Sequence, residues 1–337
     1  VAIVWQKSGL PLKAPFPWFG GKSKVAHLVW ERFGDTRNYV EPFAGSLAVL
    51  LARETEPKIE TVNDLDCWIA NFWRALQADP EAVAHHADWP VNEADLHARH
   101  LWLVRQIQFR ERMKTDPDYF DAKIAGWWVW GISQWIGSGW CTNPAWTGRM
   151  GCDRSARGVS ASHLIRPALN ETGGTGVVLT PEERGGLYEW MFQLSDRLRR
   201  VRVCCGDWKR ILGPAPTTCI GTTAVFLDPP YAVEDRSDVY GEESRDAAHE
   251  VREWAVANGA NPELRIALCG YDTEHKMPSS WTEVAWKANG GFANQSSSRT
   301  RGQKNANRER IWFSPHCLRQ PELFDFSKER INLEATT

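Results

Sequence analysis

The tetrapeptide Asp228-Pro229-Pro230-Tyr231 directly follows the apolar run Ala224-Val225-Phe226-Leu227. A strand that stops at a carboxylate and two prolines would hold a rigid loop at the carboxyl edge of a parallel sheet, where open α/β sheets bind their ligands. Two prolines fix the backbone and donate no hydrogen bond, which leaves nearby carbonyls as acceptors. A carboxylate, an acceptor carbonyl and an aromatic face together suit a flat base that carries an exocyclic amine. The amine's two hydrogens need two acceptors, and its ring needs a surface to stack on. A strand-ending turn would also use these residues, so the surrounding motifs must decide between the two readings.

The elements that would position this loop alternate strand and helix. Residues 38–41 read as a short buried strand, stopped by Pro42 and a turn at Gly45. A helix starting near Ser46 would carry Leu47, Val49, Leu50 and Leu51 inward. A second strand is expected over 59–62 and a helix over 67–77, with Trp68, Phe72, Trp73 and Leu76 inside. Beyond residue 85 two long helices, 92–113 and 119–136, precede a loop-rich stretch, 137–177. Thr180-Pro181-Glu182-Glu183 is a helix start, with a Thr cap and Pro at the first helical position. Strands are expected again over 201–205, 224–227, 264–268, 281–285 and 310–313, with a helix over 245–257 between two of them. The predicted architecture is α/β, with 1–84 and 201–316 forming one domain, 85–200 inserted into it and 317–337 a tail.

Composition bounds the answer further. The chain has 337 residues, 40 Lys+Arg against 42 Asp+Glu and a formal net charge of −2. No apolar run approaches a membrane span, and the amino-terminal segment lacks the apolar core of a secretion signal, so the expected location is the cytoplasm. Eight cysteines without a CxxC pair argue for reduced thiols rather than a zinc ribbon or disulfide framework. The strand-to-turn segment Glu41-Pro42-Phe43-Ala44-Gly45 lets backbone approach a ligand, but it is not GxGxxG and indicates no dinucleotide pyrophosphate. His85, His86, His97 and His100 read as helix-surface residues, and no metal is expected. The chain has 19 tryptophans, of which Trp127, Trp128, Trp130, Trp135, Trp140 and Trp146 form a cluster read mainly as helix-packing core.

Trp18-Phe19-Gly20-Gly21-Lys22, Val40 to Ser46, Asn63-Asp64-Leu65-Asp66, Gly206-Asp207-Trp208 and Asp228 to Tyr231 occur in that order. Together they resemble the Dam-like (D12 class) adenine-N6 DNA methyltransferases, which use S-adenosylmethionine (SAM). The resemblance covers 15–78 and 200–315 and is weak over the insertion. It implies a Rossmann-like SAM-dependent methyltransferase sheet, an inserted helical and loop-rich DNA-recognition domain, and methyl transfer to the N6 amino group of a flipped adenine. It also implies cofactor contacts from Trp18, Gly21, Lys22, Glu41, Pro42, Phe43, Gly45, Ser46, Asp64, Asp207 and Asp228, and catalysis by Asp228, Pro229, Pro230 and Tyr231. Lys22 would face the cofactor carboxylate, Asp64 the ribose hydroxyls and Asp207 the cofactor's adenine amine. Asp66 and Asp207 could equally be helix caps, and Trp18 could be core. Cytosine N4 is the alternative target, and a non-catalytic DNA-binding relative the alternative class.

Double-stranded DNA would be the partner. Arg149, Arg154, Arg157 and Arg166 in the loop-rich stretch, and Arg299, Arg301, Lys304 and Arg308 near the carboxyl terminus, are candidate phosphate or base contacts. Gln320-Pro321-Glu322-Leu323-Phe324 resembles the peptide by which bacterial proteins dock on the replication sliding clamp, through Gln320, Leu323 and Phe324, although Pro321 departs from the usual leucine.

Overall fold

The computed structural model describes residues 12–16, 18, 21–90, 92–116, 118–135, 140–141, 181–231, 243–287 and 307–319, without the side chains of 181–185 and 243–246. Arg149, Arg154, Arg157, Arg166, Arg299, Arg301, Lys304, Gln320, Leu323 and Phe324 lie outside the described residues.

Strands β1 (Asn38–Glu41), β2 (Ile59–Asp64), β3 (Val201–Cys205), β4 (Thr223–Leu227), β5 (Leu264–Tyr271), β6 (Thr282–Ala285) and β7 (Glu309–Phe313) form one sheet, in the order β3-β2-β1-β4-β5-β7-β6. The first five are parallel and β7 pairs antiparallel with both β5 and β6. Because β1 pairs with β2 on one side and β4 on the other, the order reverses at β1/β4. A crevice at the carboxyl ends follows from that reversal. The strand expectations hold, with β2 and β5 running further than predicted.

The pleat sends alternate residues to opposite faces. Tyr39, Ala224 and Phe226 join one apolar cluster; Val40, Val225 and Leu227 join the other. The first is the larger. It takes in helices α1 (Ala26–Phe33), α3 (Cys67–Ala78), α4 (Pro80–Ala87), α7 (Ala122–Ile132) and α8 (Pro181–Leu198), so the helical segment and the sheet share one core. Helix α9 (Glu243–Asn258) covers the opposite face with Val251 and Ala255.

Three expected helices differ. The one starting near Ser46 is a single turn, α2 (Ala48–Leu51), because Gly45 and Leu47 both take positive φ, 45° and 53°. The stretch 92–113 divides into α5 (Glu93–Val104) and α6 (Ile107–Thr115). Gln106 donates to the Trp102 carbonyl at 3.0 Å, ending α5, and the turn lets α6 stack Phe109 on Trp68 at 4.7 Å between ring centroids. The 119–136 helix starts three residues later, at α7. There the Asp121 side chain accepts from Ile124 N, and its backbone is clamped on both sides by Asn71.

His100 corrects its reading as a surface residue: it is buried, with its ring parallel to Trp135 and beside Trp140. Trp128, Trp130 and Trp140 are buried as core. All seven described cysteines are free thiols. No helix among the described residues is long and apolar enough to cross a membrane.

Candidate active site

Parallel strands bring their carboxyl ends to one edge of the sheet. From the outer strand inward this edge carries Asp207 after β3, Asp64 at the end of β2, Glu41 at the end of β1 and Asp228 after β4. Strand β7 runs the other way, so its first residue, Glu309, arrives at the same edge, in register with Tyr271.

Asp228 is the centre of this group. Its Oδ2 lies 2.8 Å from the Nζ of buried Lys22, while its own side chain stays 21% exposed. Lys22 is anchored by the start of α1, where its carbonyl accepts from Val25 and Ala26 N. Burial opposes the lysine's charge, but Asp228, Cys269 and Glu309 outweigh burial and hold the ammonium above its ordinary value. The same Nζ sits 5.3 Å over the Tyr231 ring and 5.7 Å over Trp286. Tyr231 is buried, edge-on to Tyr271 at 4.7 Å, and its hydroxyl donates to Glu309 Oε2 at 2.8 Å. Burial, with the Asp228 charge beside it, pushes this phenol well above its ordinary value, so it stays a donor.

Glu41 is buried one strand away. Burial pushes its carboxyl well above the usual carboxylate range, against the Tyr39 hydroxyl that donates to Oε2 at 2.9 Å. The Asp228 charge beside it pushes the Glu41 carboxyl in the same direction as burial does.

The loop after β1 is held by the loop after β2. Ala44 N donates to the Asn63 carbonyl at 2.9 Å, and Gly45 N to Asp64 Oδ2 at 3.0 Å. Asn63 Nδ2 reaches the carbonyls of both Pro42 and Gly206, so one amide ties three strand-end loops together. Gly45 cannot be replaced simply: its φ is positive and an added Cβ would fall 2.5 Å from Trp18 Nε1. Trp18 therefore packs its indole on this turn, and Trp73 Nε1 bonds the Gly45 carbonyl at 3.1 Å. Phe43 and Ser46 are half-buried, Pro42 is buried, and Gly21 is exposed with its N–H on the Trp18 carbonyl.

Asp64 Oδ1 accepts from Asp66 N at 2.9 Å, and with Gly45 N on Oδ2 and Leu65 N also directed at the carboxylate the group is held by three backbone N–H groups. Burial, and then the Asp66 charge, push the Asp64 carboxyl up to about 7. Asp66 caps α3, accepting from Trp68 N at 2.8 Å. Between them Leu65 is 68% exposed, an apolar surface beside two carboxylates. Asp207 is exposed and caps the short 3-10 turn Trp208–Ile211 through Lys209 N at 2.8 Å.

The structure thus brings Lys22, Glu41, Asp228 and Tyr231 together, sets Asp64 one strand further out and leaves Asp207 beyond it. Arg308 stands at the same edge, on the turn before β7, ion-paired to Asp272 at 3.1 Å and over the Tyr271 ring at 5.1 Å. The sequence reading missed Glu309, Tyr271 and the clamp role of Asn63. Glu309 had a signal, a lone carboxylate opening the apolar strand Glu309–Phe313. Tyr271 and Asn63 had none, because their partners come from distant strands.

Residues 18–103 match the model of the D12 class N6 adenine-specific DNA methyltransferase family, an enzyme family and the one the motifs resemble. No curated protein sequence matches the chain.

Proposed function

We propose, taking the D12 match as premise, that the chain transfers the methyl group of SAM to the N6 amino group of an adenine flipped out of double-stranded DNA. The observation that carries this reading is Asp228, after β4 at the β1/β4 reversal, with one oxygen on Lys22 and the other without a partner among the described residues. Two acceptors are needed for the amine's two hydrogens, and Asp228 Oδ1 with the Pro229 carbonyl can supply them.

The edge suits SAM chemically. Its hydroxyl and amine groups are donors, and the edge offers the acceptor carboxylates Asp64 and Asp207, with exposed Leu65 as an apolar face between them. Bound there, SAM supplies an electrophilic methyl on a positive sulfonium. Asp228 and the Pro229 carbonyl draw the amino hydrogens out of the base plane, freeing a lone pair otherwise delocalised into the ring. The fixed carboxylate and loop dipoles stabilise charge that shifts from sulfonium to base. Asp228 needs no unusual basicity, because the amine becomes acidic once it is alkylated. Lys22 shares the face of Tyr231, so a base stacking on that ring displaces the ammonium from it. Glu309 and Tyr271 hold the phenol ring in place meanwhile.

Incubation with SAM and unmethylated DNA, followed by mass analysis of the digested nucleosides, tests the reading. N6-methyladenine is the expected product. N4-methylcytosine would keep the chemistry and change the base. Failure to bind SAM would overturn the proposal.

A further inference from the structure

Away from the sheet edge, residues of α4, α5, α7 and α8 line a half-open cavity of about 660 Å³ that includes none of the strand-end residues. Its floor is Arg99 of α5. The guanidinium carbon stands 4.8 Å from the Trp89 centroid, 4.8 Å from Trp127 and 4.3 Å from Trp130. Arg99 is buried, and its Nη1 has no hydrogen-bond partner. No carboxylate lies within ion-pair distance of it among the described residues. The nearest acid along the helix, Asp95, is already engaged by Trp89 Nε1 at 2.5 Å and Asn92 Nδ2 at 2.6 Å. A second cation, Lys123 of α7, sits 4.7 Å over Trp102 and 4.4 Å over Trp127, without a carboxylate partner among the described residues.

Aromatic faces stabilise a cation but supply no acceptor for its N–H groups. A buried guanidinium with an unfilled donor is costly unless an anion completes it. Burial pulls the Arg99 group down to about 10 although Asp95 is nearby, the mark of an under-compensated charge. The cavity wall adds what a bare anion would not need: the flat faces of Trp102 and Tyr188, and the carboxylate of Asp88 at the rim. A phosphate for the two cations, a ring for the aromatic side chains and an exocyclic amine for the Asp88 carboxylate describe one ligand class. A cavity of this size admits it.

We propose that this cavity is a second nucleotide-binding site, with Arg99 and Lys123 taking the phosphate and Trp102 and Tyr188 flanking the base. The ligand is either a free mononucleotide or one nucleotide of a DNA strand. The second source rests on the DNA-methyltransferase reading; the first does not.

The full chain should be titrated calorimetrically with dAMP and with inorganic phosphate. In parallel, the anisotropy of a labelled single-stranded pentanucleotide should be followed. Binding of dAMP or the pentanucleotide, with inorganic phosphate at least tenfold weaker, is expected. Arg99→Met and Lys123→Met should each weaken it at least tenfold. Lys123→Met, on a half-exposed side chain, keeps the test open should Arg99→Met fail to fold. Binding of both probes with mutual competition identifies the free nucleotide as sufficient; binding of the pentanucleotide alone identifies a strand. No binding of either overturns the proposal. So does binding that survives both substitutions, or that Asp228→Asn abolishes, since that binding belongs to the sheet edge. Methyl transfer is measured separately: nucleotide binding without transfer removes the proposed function and leaves this site, and the converse result removes the site alone.

Discussion

Two buried ion clusters lie on the same face of the sheet, toward opposite ends of its strands, and they are finished differently. Near the amino end of β2, Glu60 receives Arg53 Nη1 at 3.2 Å and Arg197 Nη2 at 3.0 Å on Oε1, and Arg197 Nη1 at 2.7 Å on Oε2. The two arginines spend further donors on the carbonyls of Thr36 and Leu50. Glu60 is 2% exposed, with both oxygens filled from within the chain. At the carboxyl end, Asp228 has one oxygen on Lys22 and, among the described residues, no partner on the other, at a part-exposed edge. A charge cluster that ties distant segments together is closed upon itself; one that can meet a substrate keeps an acceptor unspent. The Arg197 cluster joins the end of α8 to β2 and α2, so it fixes the helical segment to the sheet. The Lys22 cluster joins the α1 entrance to the loop after β4, where a ligand can intervene.

The contrast is broken most sharply at Asp228. Asp228→Asn retains an oxygen to accept from Lys22 but removes the counter-charge of a buried ammonium, so the melting temperature should fall, though less than in Asp228→Ala, while methyl transfer falls by about 10³-fold. Asp228→Ala is the poorer test, because it strands a buried ammonium, a change that itself destabilises strongly. Methyl incorporation and thermal melting of the Asn variant check both halves. Normal transfer would remove Asp228 from the chemistry.

Glu60→Gln should do the reverse. Leaving two buried guanidinium groups without their carboxylate costs about 3–5 kcal/mol of stability. Transfer per folded molecule should be unchanged. Denaturant unfolding alongside activity at low temperature separates the two. A drop in specific activity larger than the drop in folded fraction would mean that the two clusters are coupled along that face, through Tyr39 and Glu41.

The same division explains what sequence reasoning could reach. Strands β1, β2, β3 and β4, and the cap of α3 by Asp66, are local: apolar runs, a carboxylate at the strand end and a turn residue announce them. DPPY was readable because the strand and its terminating loop are contiguous in the chain. Glu309 was legible only as a lone carboxylate opening a strand, since its place at the site depends on antiparallel β7 returning its first residue to the edge where β5 ends. Arg197 carries no local sign of its role either, because nothing near it in the chain pairs it with Glu60. The break of α5 from α6 was also hidden. It answers to Phe109 finding Trp68 on another helix, and tertiary packing overrides an otherwise continuous helical pattern there.

Asp64 lies between the two regimes, holding the loop through Gly45 and Asp66 N–H groups and retaining a lone pair. Asp64→Asn should weaken SAM binding about 10- to 100-fold, the loss of hydrogen bonds to a charged acceptor. Its carboxyl, raised by burial to about 7, also sets a pH signature. The folded state holds this proton more tightly than the unfolded chain does, so this group's contribution to stability is present below about pH 4 and is lost as pH rises through about 7. On the proposed role of Asp64 as an acceptor for SAM, affinity for SAM should climb over the same interval, as the carboxyl ionises. Titration calorimetry from pH 5 to 8 should find that climb in the parent and a flat profile in Asp64→Asn.

The smallest effect belongs to Asp207, furthest from Asp228 along the edge. Its carboxylate caps the turn Trp208–Ile211 and is exposed, so a role as cap and a role as cofactor contact predict different variants. Serine caps about as well as aspartate, whereas alanine does not, the cap being worth about 1 kcal/mol. Asp207→Ser should therefore keep the melting temperature and lower SAM affinity by about 2- to 10-fold, the range for one neutral-donor hydrogen bond. Asp207→Ala should show that same affinity loss together with a lower melting temperature. If SAM binds both variants as tightly as the parent, Asp207 is a cap and nothing more. The cofactor-facing part of the edge then ends at Asp64 and Leu65, and the contrast between closed and open carboxylates extends to the outermost strand.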